Sequence, residues 1–112
     1  LINNTLFAAH IGMLREAVQL GARLGVDERQ LLASIPHGSG GSRVGEFVAA
    51  RGSVAAFVET AGEFIGKDVA VVRKITTELG SDLGLLDDVL SDELACGLDE
   101  LADATPAAAV RN

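Results

Sequence analysis

The stretch LINNTLFAAHIGMLREAVQLGARL, residues 1–24, decides the fold of this chain. Its apolar residues recur every three or four positions, as on one face of an α-helix. Plotted at about 100° per residue, they form a wide arc, which predicts a helix packed by several neighbours. Asn3 and His10 project from within this arc, and Asn4 lies at its edge. Because an unpartnered buried polar group costs about 1–3 kcal/mol, these side chains either have internal partners or face a ligand.

Capping and helix-breaking residues divide the remainder of the chain into further helices. Asp27 and Ser42 precede periodic apolar segments, as N-caps do, whereas Gly25 and Pro36 follow such segments. The predicted helices cover approximately residues 1–24, 27–35, 42–51, 54–79 and 85–102. The sequence lacks the alternation typical of strands, so the predicted fold class is all-α, with one long N-terminal helix packed by shorter ones.

Glycines and large apolar residues predict two details of the later helices. Gly62 and Gly66 are expected to interrupt the fourth helix, because glycine is a poor helix former. The inner face of that helix is predicted to contain Ile65, Val69, Val72, Ile75 and Leu79. The inner stripe of the last helix is predicted to contain Leu86, Leu90, Leu94 and Leu101. Both sets repeat at helical spacing.

The composition predicts one domain, residues 1–112, with an apolar surface to cover. Hydrophobic residues make up 48% of the chain, and the mean hydropathy is +0.32. No stretch approaches the roughly 18 uninterrupted apolar residues of a transmembrane helix, so no membrane contact is expected. The apolar excess instead predicts contact with a second copy of the chain, as a homodimer, or with another domain.

The charge balance argues against a nucleic-acid partner. Sixteen acidic and nine basic residues give a formal net charge of −7, whereas phosphate binding needs a positive surface. The acidic residues from Asp82 onward lack the spacing of a calcium loop and are interpreted as a solvated helix face. Cys96 is the chain's one cysteine and is expected to be a small core residue. The N-terminal sequence does not resemble a secretory leader, so a cytoplasmic location is expected.

The segment Gly-Ser-Gly-Gly-Ser, residues 38–42, is similar to a phosphate-binding loop only in part. It lacks the third glycine of the dinucleotide fingerprint, the preceding strand, and the Gly-Lys-Ser/Thr ending of a P-loop. A plain connector is therefore favoured over a loop that closes on a ligand with the amides at the start of the Ser42 helix. Ser39 and Ser42 have no recognisable histidine–acid partners, which disfavours a hydrolase.

Asp68 is the sharpest candidate for a functional carboxylate. It projects from the apolar face of the fourth helix, where a carboxylate must be paired or hydrogen bonded. Lys67 lies at the edge of that face, so its stem can be buried while its ammonium reaches a cleft. The pair is either a structural contact or a cation held at a site. His10 shares its arc with Ala17 and Gly21, which favours a hydrogen-bonded core histidine at a close helix crossing.

Three segments in order resemble the C-terminal helical domain of the β-hydroxyacid dehydrogenases. This family includes 3-hydroxyisobutyrate, tartronate-semialdehyde and 6-phosphogluconate dehydrogenases. The segments are Leu-Ile-Asn-Asn (1–4) with its long helix and Gly25-Val26, the loop at 38–42, and Phe-Ile-Gly-Lys-Asp-Val (64–69). Their order and spacing agree with the family from Leu1 to about Val89. The resemblance implies a multi-helix fold of the 6-phosphogluconate dehydrogenase C-terminal type.

The resemblance also implies an enzyme that transfers a hydride between NAD or NADP and a small 3-hydroxy acid. A general acid/base lysine would come immediately before Leu1, four positions before Asn4 and on the same helix face. Asn4 would then act in catalysis by holding the substrate or the lysine, with Asn3 supporting it in substrate binding. Lys67 would reach the cofactor or the substrate from the facing helix, and Asp68 would support the helix packing. The Rossmann domain that binds most of the cofactor is missing from this sequence, so the chain alone should be inert.

The sequence departs from the family pattern at several places. Thr60 stands where a phenylalanine is usual, Gly66 is unusual before the lysine, and the end after Val89 differs. The competing hypothesis is a stand-alone helical interaction module without catalysis. In that case Asn3, His10 and Asp68 would be hydrogen-bond partners between helices.

Overall fold

The computed structural model describes residues 1–90, and within them the chain is all-α, as predicted. The helices are α1 (Ile2–Arg23), α2 (Glu28–Ser34), α3 (Arg43–Arg51), α4 (Val54–Glu78) and α5 (Leu85–Leu90). A 3-10 turn, Ile35–His37, follows α2. The long helix α1 packs against α2, α3, α4 and α5, so it forms the centre of the described bundle.

The predicted caps define where the short helices begin. The side chain of Asp27 accepts a hydrogen bond from the backbone N–H of Gln30, and Ser42 accepts one from Gly45. Gly52 ends α3 with φ +81°, a left-handed conformation that glycine adopts without strain. Pro36 lies within the 3-10 turn that follows α2, so the α-helical hydrogen bonding ends just before it, as predicted.

The predicted interruption of the fourth helix is wrong. Helix α4 runs without a break from Val54 to Glu78, and both Gly62 and Gly66 are buried within it. Each glycine keeps its backbone N–H and C=O, so its cost in a helix is only about 1 kcal/mol. The packing of a helix of 25 residues offsets this cost.

The buried face of α4 ends earlier along the helix than its apolar sequence pattern predicts. Ile65, Val69 and Val72 are buried as predicted, but Ile75 is 39% exposed and Leu79 is 76% exposed. Helical period identifies which side of a helix is apolar, but not how far along that side the neighbouring helices extend. In α5, Leu90 is fully buried, whereas Leu86 is 36% exposed.

Two glycines of α1 mark close helix crossings. A Cβ atom on Gly12 would overlap the backbone carbonyl of Val89 in α5, and one on Gly21 would lie 2.9 Å from Leu31 Cδ2. The crossing at Gly21 was predicted from the small residues on that arc. His10 is only half-buried, and no hydrogen bond of its ring is found within residues 1–90, which differs from the predicted core histidine.

The remaining predictions for the end of the chain lie outside the described residues. They are the continuation of the last helix to residue 102, the positions of Leu94 and Leu101, and the burial of Cys96. Among the helices that the structure describes, none combines the length and the apolar character needed to cross a membrane.

Candidate functional site

A hydrogen bond joins the two motifs that the sequence singled out. Asn4, in the first turn of α1, donates through Nδ2 to Oδ2 of Asp68 in α4 at 2.5 Å. Both side chains are half-buried. The carboxylate therefore has the partner that its position required, and that partner is a carboxamide 64 residues away rather than the neighbouring Lys67.

Asn3 lies beside this pair but is more exposed. Its Nδ2 is 3.5 Å from Oδ1 of Asn4, the outer limit of a hydrogen bond. The sequence pattern placed Asn3 within the apolar arc, whereas the structure exposes it to solvent. The Asn3 side chain is thus accessible to solvent next to Asn4.

An apolar groove of about 400 Å³ adjoins Asn4. Its wall consists of Asn4, Phe7, Thr60, Ala61, Phe64 and Ile65. The ring of Phe7 packs on that of Phe57 with centroids 6.2 Å apart, which fixes the inner wall. Phe64 is 72% exposed and forms the outer rim. A groove that is largely apolar with two polar side chains, Asn4 and Thr60, has the usual character of a small-molecule site.

Lys67 does not line this groove but lies on the same helix as its outer rim. It follows Phe64 by three residues, which places the two side chains on neighbouring positions of one helix face. Lys67 is exposed, and within residues 1–90 its ammonium makes no hydrogen bond or ion pair. An exposed cation therefore directly precedes Asp68 on α4.

The opposite part of the wall carries a second polar contact. Arg51, the last residue of α3, donates through Nη1 to Oγ1 of Thr60 at 3.0 Å. Thr60 Oγ1 in turn donates to the backbone carbonyl of Phe57 at 3.0 Å. The guanidinium is thus hydrogen bonded to a residue that lines the groove.

Other sequence candidates are not part of this groove. None of the residues 38–42 lines it, and Ser42 uses its hydroxyl as the N-cap of α3. A wider cavity of about 590 Å³ lies between the end of α4 and α5, where Arg73 forms an ion pair with Asp87 at 3.0 Å. Within residues 1–90, no cluster of three or more His, Cys, Asp or Glu side chains is arranged to hold a metal ion.

Sequence reasoning missed Phe7 and Arg51 as parts of the site. Phe7 was counted only among the apolar residues of α1, because periodicity does not distinguish a groove wall from the core. Arg51 reaches Thr60 across the turn at Gly52. This is a contact between two helices, and it cannot be predicted from the spacing of residues in the sequence. The departure at Thr60 from the family pattern was the one signal at this end of the groove.

Comparison with known families agrees with this description of fold and motifs. Residues 1–111 match the family model described as NAD-binding of NADP-dependent 3-hydroxyisobutyrate dehydrogenase. The match covers nearly the entire chain, and the chain therefore belongs to this family of NAD(P)-dependent oxidoreductases. Neither the search of curated proteins nor that of solved structures gave a significant match.

Proposed function

We propose that this chain is the helical domain of an NAD(P)-dependent β-hydroxyacid dehydrogenase and supplies substrate-site residues to it. The observation that carries the proposal is the Asn4–Asp68 hydrogen bond at the edge of an apolar groove. It brings the amide motif and the Lys-Asp motif of the family pattern to one place. The reaction is hydride transfer between the cofactor and a 3-hydroxy acid, and the chain alone is inert.

Asp68 sets the direction in which the Asn4 carboxamide can act. Because Nδ2 donates to the carboxylate, Oδ1 of Asn4 points away from Asp68, and beside its 3.5 Å contact with Asn3 Nδ2 it keeps a lone pair for a further donor. An acceptor at the groove edge suits a hydroxyl O–H or an ammonium, not a carboxylate. Asn4 therefore binds the substrate hydroxyl or orients the amine that exchanges its proton, with Asn3 as its second contact.

The proton-transfer lysine would come from the residue before Leu1. Helix α1 begins at Ile2, and the N–H of Thr5 already donates to the carbonyl of Leu1. A lysine one position earlier on a continued helix would lie one turn, about 6 Å, from Asn4 along the axis. This is within reach of the Asn4 side chain, so the lysine and Oδ1 could share one substrate oxygen.

Lys67 fits a limited contact with the cofactor. Its exposed ammonium suits a phosphate or ribose oxygen. The described residues contain no strand followed by a glycine-rich phosphate loop, so a Rossmann domain would bind most of the dinucleotide. The bound nicotinamide would supply the hydride acceptor or donor, while this chain positions the hydroxyl carbon and excludes water.

Exposed apolar side chains on α1 support an extended interface. Ile2, Leu6, Met13 and Leu20 are all about half exposed or more. Such a row is typical of a surface covered by a partner. We assign it to a homodimer in the cytoplasm, with the Rossmann domain contacting the groove side.

A non-catalytic helical interaction module remains the second candidate. The same exposed apolar row favours it, since that row needs a protein partner whether or not the groove binds a substrate. The upstream reading frame distinguishes the two. A Gly-x-Gly-x-x-Gly segment in the same frame supports the dehydrogenase, and a start codon close to Leu1 supports the module.

A direct experiment joins this chain to the Rossmann domain of a β-hydroxyacid dehydrogenase that ends with its lysine. Oxidation of 3-hydroxyisobutyrate and of longer 3-hydroxy acids is followed with NAD+ and with NADP+. The fused protein should reduce the cofactor, and the chain alone should not. A fused protein that folds and binds the cofactor but shows no substrate-dependent reduction would contradict the proposal.

A further inference from the structure

The end of the groove opposite Asn4 carries a positioned cation. Arg51 is exposed, and its Nη1 is held by Thr60, which lines the groove. A guanidinium has five N–H donors in a planar fork, and within the described residues only this one contact is formed. The remaining donors are therefore available to a ligand that reaches this end.

The groove itself contains no carboxylate that would neutralise the guanidinium. Among its lining residues, the polar side chains are Asn4 and Thr60, and the others are apolar. Asp68 is hydrogen bonded at the other end, and Glu59 and Glu63, which precede and follow Thr60 on α4, are exposed and do not line the groove. An apolar passage that joins a hydroxyl-binding amide to a free guanidinium matches an elongated molecule with an anionic terminus.

The distance between the two ends limits the length of that molecule. Thr60 and Asp68 are eight residues apart on α4, a rise of about 12 Å. Arg51 and Asn4 are held at these two positions of α4, so the two polar ends of the groove are about two helical turns apart. The hydroxyl and the terminal anion are therefore separated by several carbon–carbon bonds, more than 3-hydroxyisobutyrate offers.

Resting on the proposed function, we infer that Arg51 selects 3-hydroxy acids that carry a second, terminal carboxylate. The hydroxyl lies at Asn4, the methylene chain lies along Ala61 and Phe64, and the terminal carboxylate takes a bidentate contact from Arg51. Thr60 is a positioning residue, since its hydroxyl holds the guanidinium at the groove.

Two probes of equal chain length test this inference on the complete chain. They are 3-hydroxyadipate and 3-hydroxyhexanoate, which differ only in a terminal carboxylate or methyl group. Binding is followed in NMR titrations by the backbone amide signals of Asn4 and Thr60 and by the side-chain amide signal of Asn4. The diacid should bind about 10-fold more tightly or better, the scale of one charge-assisted contact.

Variants of Arg51 and Thr60 assign the preference to these residues. Arg51→Gln should abolish it, Arg51→Lys should keep part of it, and Thr60→Val should reduce it because the guanidinium loses its anchor. Arg23→Gln, a surface change at the far end of α1, should leave the preference intact. Each variant is first checked for a native amide spectrum.

The outcomes separate the inference from the proposed function. Equal binding of both probes, with Asn4 signals still responding, would overturn the role of Arg51 and leave the Asn4 site standing. A preference for the diacid that persists in Arg51→Gln would also overturn it. Failure of both probes to change the Asn4 and Thr60 signals would contradict both the inference and the proposed function.

Discussion

Asn4 and Asp68 form a hydrogen bond between the first turn of α1 and the middle of α4, linking two motifs 64 residues apart. Its direction leaves the carbonyl oxygen of Asn4 as the acceptor of the site. The carboxylate thus has a role in packing and, through the orientation of Asn4, a role in the proposed chemistry.

Removing this carboxylate should destabilise the fold. Asp68→Ala leaves the half-buried Asn4 amide without its acceptor, and we expect the free energy of unfolding to fall by about 1–3 kcal/mol. Urea unfolding followed by circular dichroism measures the change. Glu63→Ala, at an exposed position of the same helix, is the matched control. Equal midpoints for Asp68→Ala and the control would contradict the structural importance of the bond.

At the crossing of α1 and α5, replacing glycine with alanine is expected to lower the free energy of unfolding instead of raising it. Replacing a helical glycine with alanine normally stabilises by about 0.5–1 kcal/mol. Gly12→Ala should instead destabilise by about 1–3 kcal/mol, because the new methyl group overlaps the carbonyl of Val89. Gly40→Ala, at an open loop position, should have little effect. A gain of stability in Gly12→Ala would show that α5 does not pack here.

The serine caps should each contribute to stability. Ser53→Ala removes the acceptor of the Ala56 N–H at the start of α4, and the expected loss is about 1 kcal/mol. Ser39→Ala, in the exposed loop, serves as the control. Thermal unfolding should give a lower midpoint for Ser53→Ala alone. Unchanged midpoints in both variants would contradict the assigned N-cap.

The exposed apolar row on α1 predicts self-association. Light scattering combined with size-exclusion chromatography should give the mass of a dimer. Met13→Glu places a charge within the row and should shift the population to monomer. Ala22→Glu, also exposed on α1, tests the effect of an added charge elsewhere on the helix. A monodisperse monomer for the unmodified chain would count against the homodimer.

Local patterns predicted the helices well, because capping and periodicity are short-range properties. Ser42 and Gly52 mark the ends of α3 in the sequence as they do in the structure. What failed depended on neighbours distant in the chain. The predicted break in α4 considered only the low helix propensity of its glycines and not the packing around them. The exposure of Leu79 depends on where the adjacent helices end.

In the candidate site too, local sequence predicted some features, whereas others depended on the packing of distant helices. The need of Asp68 for a partner followed from its place on an apolar face, but the identity of that partner depended on how α1 crosses α4. The contact of Arg51 with Thr60 likewise depends on the packing of α3 against α4. The roles of Asn3, Asn4 and Lys67 in binding and catalysis stay predictions.

Steady-state kinetics of the fused two-domain enzyme determine whether Asn4 and Lys67 act at one reaction site. Asn4→Ala and Lys67→Ala should each lower kcat/KM by roughly 10- to 1000-fold, the effect of losing one positioned polar or charged group. Lys74→Ala, two turns further along α4, should retain the activity. Unchanged kcat/KM in both Asn4→Ala and Lys67→Ala would contradict the account.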